Sequence, residues 1–334
     1  MVTLSDVAQA AGVSLSTASR AINGSRDRTV KPHLRERVLA AAAELNYSAN
    51  AAAQAMARGR TTTIGLVVHD ISDPYFSGIA AGVDIAARER GCVVTLATTN
   101  RQLEEQLTII DVLRGQRVAA LVLAGGLQDD QAHIAALSDA VARFSDSTES
   151  NAVVIGQNRL PIPTVSLANH EGAKALAEAM VAQGARRFAV LCGPELNLTG
   201  IERLAGFTEG VGEAGEVRAV QGRFSRDGGY DAMRELIDSG DLPDVVFAVT
   251  DVMAVGALAA AREAGLTVPT DVKVAGFDDI PTLRDIVPAL TTVRVDLEEL
   301  GRLAVGLALD HKPGEVPDNV TVPTEVVLRA STQD

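Results

Sequence analysis

Leu4–Arg26 reads LSDVAQAAGVSLSTASRAINGSR, two short helix-forming runs joined at a glycine. Leu4, Val7, Ala8 and Ala11 recur at helical spacing, and Gly12 follows where a sharp turn favours a residue without a side chain. Val13 leads into Ser14, a good N-cap, and a second helix. On that helix Ala18, Ala21 and Ile22 share one face, while Leu15, Ser16, Ser19, Arg20 and Asn23 share the other. Small residues let two helices cross closely while the second presents donor-bearing side chains outward, the layout of a helix-turn-helix that enters a DNA major groove. A third helix, VKPHLRERVLAAAAELNY (30–47), would complete a small core with Val38, Leu39, Ala42 and Leu45. An ordinary helical hairpin has the same spacing. Downstream, SANAAAQAMARGR (48–60) offers an Asn50 cap, an alanine-rich run and a stop at Gly59. This is shorter than the roughly 12–15 residues an isolated helix needs, so it is expected to order only against a partner; a plain linker is the alternative.

Charge separates this arm from the rest. Residues 1–60 hold eight Lys or Arg against four acids, whereas 61–334 hold twenty-two against thirty-nine, within a chain of 334 residues and net charge -13. A basic arm on an acidic body implies that only the arm meets a polyanion. An apolar fraction of 47% supports packed globular units, and the length supports two or three of them. No apolar run is long enough to span a bilayer and no basic-then-apolar leader opens the chain, which predicts a cytoplasmic protein. Cys92 and Cys192 sit in apolar strand-like runs without ligand spacing, so neither a disulfide nor a metal is expected.

In the body, TIGLVV, CVVTLAT, ALVLAG and AVVIGQ alternate with amphipathic segments, and RFAVLCG, EVRAVQG, DVVFAVT and VKVAGFD repeat the pattern. Such alternation predicts an α/β body of two successive, doubly wound parallel sheets, with ligands bound outside the carboxyl ends of the strands. Asp70, the DPYF turn with Tyr75 and Phe76, Asp251, Asp278 and Asp279 lie at those ends, and Arg203 lies early in the helix after RFAVLCG. Carboxylates accept from adjacent hydroxyls, Arg donates in a fork, and an aromatic stacks on a ring, a set suited to a polyhydroxylated ligand. The bland alternatives are helix caps for Asp251 and Asp279, a core role for Phe76 and a surface aromatic at Tyr75. No phosphate loop, dinucleotide fingerprint or nucleophile elbow is present, and His33, His69, His133, His170 and His311 are scattered. These point away from an enzyme, and no cofactor is implied.

TLSDVAQAAGVSLSTASRAING, ELNYSANAAAQAMARGR and TIGLVVHDISDPYFSGIAAGV resemble the headpiece, hinge and core entry of the LacI/GalR family of bacterial transcription regulators. The resemblance continues through LTGIERLAGF, VFAVTDVMAVGAL, VKVAGFDDI, PALTTVRVDLEELGRLAV and VPTEVVLRAST, essentially the whole chain. It implies base contacts from Leu15, Ser16 and Arg20, phosphate contacts from Thr3 and Ser14, and an anchor at Asn23. Arg20 suits guanine, whose O6 and N7 match its forked donors. Met56 stands where the family usually has a leucine wedge for the minor groove. Among effector residues, Arg203 and Asp278 are implied as the main sugar contacts. Three departures stand out: Ala49 replaces a common proline, GSRDRTVKP (24–32) is longer than in several relatives, and the frequent Asn-Asp pair is Thr250-Asp251.

The resulting expectation is a helix-turn-helix domain at 1–48, a hinge helix and linker at 49–61, and a periplasmic-binding-protein-like core at 62–334. Within the core, one lobe is expected at 62–161 plus 292–323 and the other at 162–291 plus 324–330. The expected protein is a homodimeric repressor of a palindromic DNA operator, controlled by a sugar, a polyol, or a nucleoside or purine, with no membrane partner. A solute-binding protein has a similar body, but the attached helix-turn-helix and the missing leader argue against it. Whether the effector releases or tightens operator binding is open.

Overall fold

The computed structural model describes residues 2–23, 30–47, 61–148, 150–311 and 318–333, and the chain packs as two units, 1–61 and 62–334. The expected hinge contacts Asn50 and Met56, and the basic residues Arg26 and Arg28, lie outside the described residues.

The first unit comprises α1 (Leu4–Ala10), α2 (Leu15–Asn23) and α3 (Pro32–Glu44). Thr3 opens α1 with a capping box: Asp6 N donates to its hydroxyl at 3.3 Å and Thr3 N donates to Asp6 Oδ2 at 2.8 Å. Gly12 adopts φ +60° at the turn, and Arg37 Nη2 reaches across from α3 to donate to Ala11 O at 2.6 Å, closing a free carbonyl at the end of α1. Val7, Ala8, Ala11, Ala18, Ala21, Val38 and Ala41 form the core, with Ala42 and Leu45 packed against it. Leu39, expected in this core, is 44% exposed. The inward stripe of α3 runs through Val38, Ala41, Ala42 and Leu45, and one further residue along a helix turns the side chain by about 100°, off that face.

In the second unit the first lobe begins with β1 (Thr63–Val68), α4 (Pro74–Glu89), β2 (Val93–Thr98), α5 (Leu103–Gly115), β3 (Ala120–Ala124), α6 (Gln131–Thr148), β4 (Asn151–Ile155) and β5 (Thr164–Leu167). The chain then enters the second lobe with α7 (Asn169–Ala182), β6 (Arg187–Cys192), α8 (Leu198–Val211), β7 (Glu216–Gln221), α9 (Arg226–Asp238), β8 (Val245–Ala248), α10 (Asp251–Glu263) and β9 (Lys273–Ala275). Last come β10 (Thr292–Val295), α11 (Leu297–Leu309), β11 (Val320–Val322) and β12 (Thr324–Val327). One sheet is wholly parallel in the order β11-β5-β4-β3-β1-β2; a second, also parallel, runs β7-β6-β8-β9; β10 and β12 form an antiparallel ribbon. β3 and β8 are buried along their whole length, as expected of strands covered on both faces by helices.

All eight strands read from the sequence are present. β5 was not among them, and its pairing with β4 places it in the first sheet, so the first crossover falls after Leu167 and not at 161/162. Its TVSL sequence is too short and mixed to announce a strand. Helix pairs cross backbone to backbone at glycines: a Cβ on Gly82 of α4 would overlap the carbonyl oxygen of Glu298 in α11, and one on Gly256 of α10 would overlap that of Arg226 in α9.

Candidate functional site

On the first unit, Ser14 caps α2, its hydroxyl accepting from Thr17 N at 3.2 Å. Leu15 is 54% exposed and Ser16 is exposed beside it. Arg20 folds back one turn, Nε donating to Ser16 O at 2.9 Å and Nη2 to Ser16 Oγ at 3.2 Å. Leu15, Ser16 and Arg20 therefore share one outward surface, with the guanidinium braced by its own helix. Thr3 is exposed and serves as the cap of α1. Asn23 is the last residue of α2, and its side chain lies outside the described residues.

In the second unit the strand ends of both lobes enclose a cavity of about 40 Å3. The first lobe contributes Asp73, Tyr75, Phe76, Arg101 and Gly126; the second contributes Thr199, Arg203, Phe224, Thr250 and Asp278. Arg203 is 2% exposed. Its Nε donates to Asn169 Oδ1 at 2.9 Å, Nη1 donates to Val249 O at 2.6 Å, and the guanidinium lies over the Phe277 ring at 3.6 Å. Asp278 Oδ1 is 3.0 Å from Arg203 Nη2, an ion pair that is not aligned along an N–H, so this buried oxygen has no hydrogen-bond partner in the structure. Burial raises the Asp278 carboxyl well above its ordinary range against the opposing pull of Arg203. Its φ of +120° is strained for a residue with a side chain. The Thr250 hydroxyl, also on the cavity wall, is buried without a partner. Asp278 and Thr250 thus place two buried oxygens without an aligned hydrogen bond in the wall of the cavity.

Four of the six expected effector residues, Tyr75, Phe76, Arg203 and Asp278, therefore meet at one cavity. Phe76 is both core and wall: it is 3% exposed and edge-on to His69 and Tyr75. Asp70 does not line the cavity; it accepts from Ser72 N and Oγ at 2.9 and 2.7 Å. The neighbouring Asp73 does, and it caps α4 by accepting from Tyr75 N at 3.0 Å. Asp251 is fully buried and committed elsewhere, Oδ1 accepting from Thr292 Oγ1 at 2.6 Å and Oδ2 from Ile280 N at 3.0 Å. Burial pushes its carboxyl up to about 7. It ties the β8–α10 junction to the loop after β9 and to β10, and does not line the cavity. Asp279 is likewise structural, held by Arg294 Nε at 2.7 Å and Arg329 Nη2 at 2.6 Å. Sequence reasoning named the DPYF turn that begins with Asp73, missed Arg101, Thr199 and Phe224, and passed over Thr250 as the altered half of a pair. Most of them follow a strand's carboxyl end, the rule that located the others.

The lobes meet directly beside the cavity. Leu198 N donates to Leu127 O at 2.9 Å and Asp129 N to Leu196 O at 2.7 Å. Gln157 Nε2 donates to Thr199 Oγ1 and to Glu202 Oε2, which also accepts from Asn169, the partner of Arg203.

A helix-turn-helix with an exposed reading face, and a two-lobed body closed around a polar cavity, define the class of ligand-responsive DNA-binding regulators. Residues 3–50 match the bacterial regulatory proteins, lacI family, and 177–332 match the periplasmic binding protein-like domain. The HTH-type transcriptional regulator CelR of Thermobifida fusca is 34% identical over 345 residues, covering 98% of each chain. The HTH-type transcriptional repressor PurR of Erwinia tasmaniensis is 32% identical over 96% of this chain and 94% of its own. A Lac repressor dimer bound to operator and the anti-inducer ONPF superposes with a TM-score of 0.87 at 30% identity, over 100% of this chain and 99% of that one. A CelR–cellobiose complex gives 0.70 at 32% identity, over 99% and 100%. The chain belongs to the lacI family of bacterial regulatory proteins. Among the described residues no helix is long and apolar enough to cross a membrane.

Proposed function

We propose that this lacI-family repressor works in the cytoplasm as a homodimer, reads a palindromic operator through Leu15, Ser16 and Arg20, and is switched by a sugar or sugar alcohol held at Arg203 and Asp278. The observation that carries the effector assignment is the Arg203–Asp278 pair. It is buried at the strand ends on the wall of the cavity, with Asp278 Oδ1 held by the ion pair to Arg203 Nη2 at 3.0 Å and by no aligned hydrogen bond. Two-fold symmetry would set two reading helices on successive half-sites. Ile71, Val93, Leu96 and Val112 of the first lobe are exposed apolar residues that a second copy would cover. The cleft is assigned binding and no catalysis. An effector regulates only if it binds the operator-competent and operator-free states with different affinity.

The test is selection of operator from a random duplex pool, followed by titration of the selected complex with sugars, polyols, nucleosides and purines. Arg20→Ala should cost about 1–3 kcal/mol of base discrimination and leave sugar binding intact. Asp278→Asn should do the reverse, abolishing the response with operator affinity retained. Response confined to nucleosides or purines would replace the sugar assignment, and an unchanged response in Asp278→Asn would remove that residue from the site.

A further inference from the structure

We infer that the cleft contains a second subsite that binds an acidic group, so that the effector is a sugar bearing a phosphoryl or carboxylate substituent; this rests on the cleft being the effector site. The subsite is a chamber of about 340 Å3 that adjoins the Arg203 cavity and shares Arg101 and Gly126 with it. Its far wall comes from Pro194–Asn197 of the second lobe.

Three of its side chains have no partner. Gln106 is 6% exposed and His133 is 9% exposed, and among the described residues neither side chain makes a hydrogen bond. Arg101 makes no hydrogen bond or ion pair there either; its guanidinium only lies over the Phe224 ring at 5.0 Å. Arg101 is half-buried and Gln106 and His133 are buried, so three polar side chains without a protein hydrogen bond line a single chamber and are available to a ligand that enters it. The backbone holds Arg101 in place against its own preference. Asn100 and Arg101 adopt successive φ values of +48° and +62°, a region that residues with side chains avoid.

The donor set indicates what the partner is. A guanidinium only donates, and its forked geometry matches the paired oxygens of a phosphoryl or carboxylate group. Asp70 and Asp73 lie within electrostatic reach of Arg101, but neither forms an ion pair with it, and Oδ1 of each is taken by Ser72 and by Tyr75 N respectively. Glu195 sits exposed at the rim. His69 contributes wall and not contact, because its ring nitrogens are 3.1 Å from Thr99 Oγ1 and 3.2 Å from Gly126 O. A hydroxylated ring at Arg203 and Asp278 would thus extend its acidic group past Arg101 toward Gln106 and His133.

The test uses the full-length protein, with calorimetric titration of inorganic phosphate, glucose 6-phosphate, glucuronate, glucose and cellobiose, and the variants Arg101→Gln and Asp278→Asn checked for fold by circular dichroism. The expected result is phosphate binding that Arg101→Gln weakens at least tenfold, and an acidic sugar that outbinds glucose by a similar factor. Glucose 6-phosphate against glucuronate separates phosphoryl from carboxylate. Phosphorus-31 line broadening by the protein, lost in Arg101→Gln, supplies a second readout. Silence toward phosphate and both acidic sugars overturns the subsite, as does equal binding by Arg101→Gln. Cellobiose or glucose binding that depends on Asp278 but not on Arg101 also overturns it while keeping the cleft reading. Phosphate binding that depends on Arg101, with no sugar sensitive to Asp278→Asn, keeps the subsite and removes the sugar reading.

Discussion

At the scale of single residues, Arg203 shows how much a buried charge depends on its surroundings. Its Nε and Nη1 donate to Asn169 and Val249, its Nη2 is ion-paired with Asp278, and its face lies on Phe277. Removing one partner of a buried pair leaves the other unpaired and typically costs about 3–5 kcal/mol, whereas replacing both can be near neutral. Arg203→Met should therefore destabilise strongly in urea unfolding, and Asp278→Asn in that background should restore part of the loss; simple additivity would mean that the two residues do not act as a pair. His69 supplies a pH prediction. Burial holds its imidazole down to about 4 from 6.5, so the fold favours the neutral ring. Its contribution is complete above pH 6.5 and is lost as the pH falls toward 4, an effect of about 2–3 kcal/mol for a partly covered ring. The gap in melting temperature between the wild type and His69→Gln should narrow over that window, and a gap independent of pH would contradict it.

At the scale of elements, the glycine crossings make substitutions of the same type go opposite ways. Gly82→Ala drives a methyl into the Glu298 carbonyl and should cost about 1–3 kcal/mol of overpacking. Gly115 ends α5 with open space around it and an ordinary φ, so Gly115→Ala should be neutral or stabilise by up to about 1 kcal/mol. Urea midpoints of the two variants test both signs. The elements also show where the sequence was informative. β1, β3 and β8 read clearly because a strand covered on both faces must be apolar throughout. Leu39 was misplaced because an alanine-rich helix has no strong stripe to orient it. Arg203 and Asp278 were readable as strand-end polar groups. Asp251 looked the same in sequence, and only its partners 29 and 41 residues downstream reveal a structural tie. Arg101 was missed because its role depends on two successive left-handed residues, which no periodicity announces.

At the scale of the whole molecule, the acidic body and basic arm divide the work: the thirty-nine acids beyond residue 60 repel a polyanion, leaving specific contact to the headpiece. In the second unit the chain passes between lobes after β5, around β10 and between β11 and β12, so the lobes are joined by several short segments. The cavity beside Arg203 is about 40 Å3, too narrow for a sugar ring even with the larger chamber beyond Arg101, so seating a ring at Arg203 is expected to require the lobes to part. Association should therefore be slower than the roughly 10⁵–10⁷ M⁻¹s⁻¹ common for preformed surfaces, and should saturate with ligand concentration in stopped-flow measurements; a strictly linear dependence would show that no opening step precedes binding. The interlobe bonds from Leu198 N to Leu127 O and from Asp129 N to Leu196 O carry their own consequence. Both amide protons are shielded only while the lobes touch, so their deuterium uptake is an isotopic clock for the open fraction, readable at two positions without label, ligand or DNA.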